Sequence, residues 1–383
     1  MKFKVAENIE TLVPYPPGKP LEELEREYGI SGSIKLASNE NSLGPSPKSV
    51  AAISKALFNL HRYPDGSCYY LGKALAEKIG VSPEQLVFGN GSNEIIELLV
   101  STFLQPGEEV ITSHPTFLVY HKMVQAAGGV NRVVPLRQFT VGAPAADGDA
   151  YPLGLCHDLD GILGELSAKS RIIFLDNPNN PTGTVFEKKE FDHFLARVPE
   201  DVIVVLDEAY VDFVDPAIRI DARDYLNSKT PVVALRTFSK AYGLAGLRVG
   251  YGFMPAEIAG YIHRVRQPFN VNSLAQIGAL AALEDDDHYR KTLDLARDGI
   301  AWLSREINQL GCRAFASQTN FFLVDLGFDG KQVYEKMLGK GVIIRPMNAY
   351  GYPHKIRITV GLPEENERLV KSLAATLDEL RNG

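Results

Sequence analysis

Short apolar runs recur through the first two thirds of the chain: Gln85–Phe88, Glu109–Thr112, Arg132–Pro135, Arg171–Leu175, Val202–Asp207, Val232–Arg236 and Arg248–Phe253. Between them lie amphipathic stretches, including Asn93–Phe103, Phe117–Ala127, Leu159–Leu166 and Lys188–Arg197. Strand-length runs alternating with helix-length periodic segments predict an α/β architecture: a mostly parallel central sheet flanked by helices on both faces. In such sheets ligands bind beyond the carboxyl ends of the strands. The polar residues closing the runs are therefore the first place to look for chemistry.

The pattern changes near Asn272. A long helical stretch, Leu274–Leu310, is punctuated by Asp285, Asp286 and Asp287. Short strands are expected at Phe321–Val324, Val342–Arg345 and Lys355–Val360, with helices near Lys331–Leu338 and Pro363–Leu380. This predicts a smaller α+β domain, completed by an N-terminal arm that carries a short helix at Leu21–Tyr28. The expected division is 36–272 for the large domain, and 1–35 plus 273–383 for the arm and small domain. Residues 141–151, rich in Ala, Gly, Pro and Asp, read as an exposed loop with no assigned function.

Composition narrows the class. The chain has 383 residues, 45% of them hydrophobic, enough for two domains around a large core. Its net charge of −7 is dispersed, which argues against nucleic acid or an anionic membrane surface as partner. No apolar stretch is long enough to span a bilayer, and the opening residues lack the apolar core of a signal peptide. Cys68, Cys156 and Cys312 are scattered and read as small buried side chains in a reducing cytoplasm. Neither they nor the eight histidines show metal-ligand spacing, so no metal is expected.

The candidate chemistry sits at successive strand ends. Lys240 lies in Thr237-Phe238-Ser239-Lys240, after the run at 232–236, and Arg248 follows eight residues later. Asp207 ends another run and Tyr210 follows it; Asn180-Pro181-Thr182-Gly183 follows a third. Taken singly, each has an ordinary reading: a surface lysine, a turn aspartate, a packed tyrosine, a proline turn. Together, an amine, a carboxylate, a phenol, an amide and a guanidinium suit pyridoxal 5'-phosphate. A partly desolvated lysine can form a Schiff base with its aldehyde. A carboxylate can keep its ring nitrogen protonated, and Thr237, Ser239 and Arg248 suit its phosphate.

Other residues fit less specifically. Gly89-Asn90-Gly91-Ser92-Asn93-Glu94 opens a helix and could bind phosphate or be an ordinary capped turn. Phe117 could stack on a ring or pack in the core. Arg357 and Arg345, on strands, could each meet a substrate anion or be a solvated or ion-paired surface residue.

These segments, with Leu36-Ala37-Ser38-Asn39-Glu40-Asn41, Arg62-Tyr63-Pro64-Asp65, Arg266-Gln267-Pro268-Phe269-Asn270-Val271-Asn272 and Arg357-Ile358-Thr359-Val360-Gly361, resemble the class I/II aminotransferases of PLP-dependent transferase fold type I. Within them the chain is similar to histidinol-phosphate aminotransferases along nearly its whole length. The resemblance implies Lys240 as Schiff-base lysine and proton shuttle, Asp207 at the pyridine nitrogen, and Tyr210 and Asn180 at the phenolic oxygen. It implies Ser92, Asn93, Thr237, Ser239 and Arg248 around the phosphate, and Phe117 against the ring. Tyr63 would reach the cofactor of a neighbouring subunit in a homodimer. Arg357 would take a substrate carboxylate, with Tyr15 and Arg345 near the substrate's phosphate end. Two departures stand out: Asn93 replaces a common aspartate, and the 141–151 loop is longer than usual. The implied reaction moves an amino group from histidinol phosphate to 2-oxoglutarate, giving glutamate, in histidine biosynthesis. An aromatic amino-acid aminotransferase or a threonine-phosphate decarboxylase on the same scaffold are the alternatives, as is a non-catalytic member that merely binds a ligand or partner.

Overall fold

The computed structural model describes residues 3–14, 18–140 and 153–382. Its central sheet has seven strands: β1 (Leu86–Gly89), β2 (Glu109–His114), β3 (Val130–Pro135), β4 (Ser170–Asp176), β5 (Ile203–Asp207), β6 (Val232–Thr237) and β7 (Gly250–Phe253). Their spatial order is β1-β7-β6-β5-β4-β2-β3. Every pairing is parallel except those of β7, which runs antiparallel to both neighbours.

Burial on both faces explains why the middle strands read as unbroken apolar runs. Ile173 and Leu175 of β4, Val204 and Leu206 of β5, and Val232 and Ala234 of β6 enter one hydrophobic cluster. The residues between them, Ile172, Phe174, Ile203, Val205, Val233 and Leu235, enter another on the opposite face. The two-residue period then directs Asp176 and Asp207, the last residues of β4 and β5, toward the face that carries Phe174 and Tyr120.

A four-stranded antiparallel sheet follows, in the order Arg313–Ala314, Phe321–Asp325, Lys355–Thr359, Arg345–Pro346. It packs with the helices Asp286–Gln309, Gly330–Leu338 and Pro363–Asn382 around Phe322, Ile356, Ile358 and Leu373. Ile34–Lys35 of the N-terminal segment pairs in parallel with Val342–Ile343, and Ile34 and Leu36 join the same cluster. The expected strand Val342–Arg345 is therefore two short strands belonging to different sheets.

Two further expectations shift, and a third feature was not expected at all. The helical stretch after Asn272 is two helices, Ser273–Leu283 and Asp286–Gln309, because the Asp285 side chain caps the second by accepting from His288 N. The first buries Ala275, Ala279 and Ala282 in the central cluster rather than in the smaller one. Arg248 precedes β7 instead of starting it, in a left-handed conformation (φ 57°) that breaks the extended chain. The third is a hairpin not read from sequence, Arg137–Thr140 with Leu153–Cys156, which flanks the expected 141–151 loop. That loop and Tyr15 lie outside the described residues. Among the described residues no helix is long and apolar enough to cross a membrane, and all three cysteines are buried.

Candidate active site

The strand ends open onto a cavity of about 270 Å³. Its lining includes Lys240, Asp207, Tyr210, Asn180, Phe117, Ser92, Asn93, Thr237, Ser239 and Arg248, with Arg345 and Arg357 from the smaller sheet. Of the described residues expected at the site, Tyr63 is absent from this lining. It is 84% exposed and stacks on Phe269, ring centroids 5.0 Å apart.

Lys240 follows β6 after Phe238 and Ser239. Its Nζ lies 3.5 Å from the Ser38 carbonyl and 5.7 Å from the Tyr210 ring centroid. Burial, seconded by the positive charges of Arg357 and Arg248, lowers the amine to about 8, with Glu40 and Asp207 pulling the other way. A substantial fraction is therefore neutral, and nucleophilic, near physiological pH.

Asp207 is 4% exposed. Burial pushes its carboxyl up to about 7, against the hydrogen bond it accepts from Tyr120. The Tyr120 hydroxyl donates to Oδ2 at 2.7 Å and Ala209 N donates to Oδ1 at 3.1 Å. Both donors are neutral, so a cationic ring nitrogen placed here would meet an acid that gains from ionising.

Tyr210 accepts a hydrogen bond from Asn39 Nδ2 at 2.8 Å, and burial pushes its phenol up to about 12. Asn39 is buried in a left-handed conformation (φ 53°), which asparagine tolerates better than most residues. Arg357 donates to Asn180 Oδ1 at 2.5 Å and to the Ala37 carbonyl at 2.8 Å. Its neighbours Ile356 and Ile358 enter the smaller core, so strand alternation turns Arg357 to the cavity side.

At the opposite end, Gly91 (φ 75°) precedes the helix Ser92–Phe103. A Cβ on Gly91 would collide with the Arg248 guanidinium. Arg248 Nη1 also lies 3.5 Å from Ser239 Oγ. A helix start, a guanidinium and the hydroxyls of Ser92, Thr237 and Ser239 are groups that could hold a phosphate. Phe117 stands edge-on to Tyr120 (5.6 Å, 84°), which stacks flat on Phe174 (4.6 Å, 4°).

Sequence reasoning missed Tyr120, Asn39 and Asp176. The partners of Tyr120 and Asn39 lie far along the chain, as do Thr116 and His157 for Asp176, and only the contacts of Asp176 with Asn179 and Asn180 are local. The left-handed asparagine is the nearest thing to a signal.

Residues 31–373 match the family model for aminotransferase class I and II. The chain belongs to this aminotransferase family. It is 55% identical over 383 residues to a histidinol-phosphate aminotransferase of Desulfotalea psychrophila, covering 99% of this chain and 97% of that one. A relative of the same name from Anaeromyxobacter sp. is 46% identical over 375 residues, covering 97% and 99%. Among solved structures, the histidinol-phosphate aminotransferase of Sinorhizobium meliloti in complex with pyridoxal-5'-phosphate superimposes with a TM-score of 0.86 at 28% identity, covering 99% of both chains.

Proposed function

We propose that this aminotransferase binds pyridoxal 5'-phosphate and transfers the amino group of histidinol phosphate to 2-oxoglutarate, a step of histidine biosynthesis, in the cytoplasm. The observation that carries the reading is the meeting of Lys240, Asp207 and Arg248 around one cavity. The substrate follows from the relatives that share most of this sequence.

The residues present fit the cofactor. Gly91 leaves room for the Arg248 guanidinium, whose place a Cβ would take, and so lets that cation lie beside the start of the helix Ser92–Phe103. Bound pyridoxal phosphate supplies an aldehyde for an amine and a ring that withdraws electrons. Lys240 would hold the aldehyde and carry the proton at the substrate carbon, its lowered basicity suiting both tasks. Asp207 would hold a proton on the ring nitrogen, with Asn180 and Tyr210 at the phenolic oxygen and Phe117 against the ring. Ser92, Asn93, Thr237, Ser239 and Arg248 would bind the phosphate. Histidinol phosphate has no carboxylate, so Arg357, with Arg345 and Tyr15, would bind its phosphate, and Arg357 the carboxylate of glutamate in the return half-reaction.

We infer further that the active unit is a homodimer with Tyr63 entering the neighbouring site. Tyr63 stacks on Phe269, itself 46% exposed, as an aromatic pair on the surface, and the same stretch of chain also exposes Phe58 and Tyr70. Such a patch suits a second copy. The separate smaller core supports two units, and the helix Ser273–Leu283, packed on the larger one, moves the boundary we infer from 272 to about 284.

The test is a substrate panel with 2-oxoglutarate as acceptor. Histidinol phosphate should be turned over about a hundredfold better than phenylalanine or tyrosine. Equal or better use of the aromatic amino acids, or carbon dioxide release from threonine phosphate, would overturn the assignment.

A further inference from the structure

A second buried carboxylate sits beside Asp207. Asp176 ends β4 as Asp207 ends β5, and the register pairs the two residues directly. Asp176 is 3% exposed and lines the cavity. Two bare carboxylates so placed would compete for one proton.

The fold surrounds Asp176 with donors instead. Oδ1 accepts from Thr116 Oγ1 at 2.7 Å and Asn179 Nδ2 at 2.9 Å, and lies 3.0 Å from His157 Nε2. Oδ2 accepts from Asn180 N at 2.8 Å. His157, 1% exposed, meets Ser113 Oγ through Nδ1 at 2.6 Å. Burying five polar side chains at one strand end is costly unless each is paired, and here each is. The ionisable groups that feel Asp176 are Asp207 from β5, Tyr120 and His121 from the helix Val119–Ala126, and Tyr210 after β5, besides His157 itself.

The network joins two loops. Thr116 precedes Phe117, and Asn179 and Asn180 N lead into the amide that accepts from Arg357. We propose that Asp176, oriented by His157, is a positioning residue that sets the spacing between Phe117 and Asn180 across the cofactor ring. This rests on the pyridoxal phosphate reading above. The carboxylate gathers the loops after β2 and β4 to one point, and His157 supplies a donor that fixes its rotamer.

Asp176→Asn puts an amide NH2 against at least one existing donor. The pyridoxal phosphate dissociation constant of the apoprotein should rise about tenfold. The pH midpoint of the bound cofactor's visible absorption should move by about half a unit or more. His157→Leu, which removes the donor, should do the same, whereas His157→Gln, which keeps one, should restore both values. Unfolding temperatures are measured alongside. If Asp176→Asn fails to fold, the His157 pair decides. Wild-type affinity and midpoint in Asp176→Asn and His157→Leu, with only a lower unfolding temperature, would overturn the proposal. So would equal defects in the Gln and Leu variants. A wild-type protein that takes up no pyridoxal phosphate would instead sink the cofactor reading on which the proposal stands.

Discussion

Tyr120 donates its hydroxyl to Oδ2 of Asp207 across 87 residues of sequence, while Ala209 N of the loop after β5 holds Oδ1. The tyrosine is fully buried and stacked flat on Phe174, so neither partner of the bond can turn away. The hydrogen bond opposes the upward push of burial on Asp207. Tyr120→Phe keeps the stack and deletes the donor. Asp207 should then become harder to ionise, and kcat/KM should fall about tenfold. Stability should change by only about 1 kcal/mol. Rate–pH profiles and denaturant unfolding of the same variant check both halves.

Asp207 should weaken the cofactor-free protein as the pH rises. Its folded pKa of about 7 stands above the ordinary carboxylate value, so folding favours the protonated form. That contribution is present below the unfolded pKa and is lost as the pH climbs through 7. Asp207→Asn should therefore stabilise the apoprotein at pH 8 more than at pH 4, by up to about 4 kcal/mol, while abolishing turnover. Urea unfolding across that range is the measurement. A variant no more stable than wild type at pH 8 would contradict the burial argument.

Capture of pyridoxal phosphate by Lys240 should have its own pH signature. The neutral amine is the reactive form, and its folded pKa is lowered to about 8. The capture rate of the apoprotein should rise between pH 6.5 and 9 with a midpoint near 8, well below that of an exposed lysine. Lys240→Ala should lose both covalent capture, read by borohydride reduction and mass measurement, and turnover.

Gly91→Ala tests the proposed phosphate site. The position has φ 75°, and the added methyl would push on Arg248. The backbone strain costs about 1 kcal/mol. Displacement of the guanidinium should weaken pyridoxal phosphate binding by about a hundredfold. Fluorescence titration of the apoprotein reads this directly, and an unchanged affinity would remove Arg248 from the phosphate site.

Much of the site was legible because its chemistry sits where strands end, and strand ends are marked by a change of residue type. Lys240, Asp207 and Asn180 each follow an apolar run, and the structure brings them to one cavity. The direction of β7 was not legible, since an apolar run carries no arrow. Nor was the supporting layer. Tyr120 reaches Asp207, Asn39 reaches Tyr210 across 171 residues, and His157 reaches Ser113 across 44. Such pairings are written in the folded topology and leave no trace in local spacing. The break at Asp285 could have been read, because an aspartate three residues before a backbone donor is a helix-start signal.

The antiparallel strand has a consequence for how the molecule is made. Leu86–Gly89 hydrogen-bonds to Gly250–Phe253, a segment synthesised some 160 residues later. On the ribosome that edge must wait, bare and sticky, until two thirds of the polypeptide has emerged. Arg248, which we propose grips the cofactor's phosphate, arrives with the same late segment, after Asp176 and Asp207 have been made.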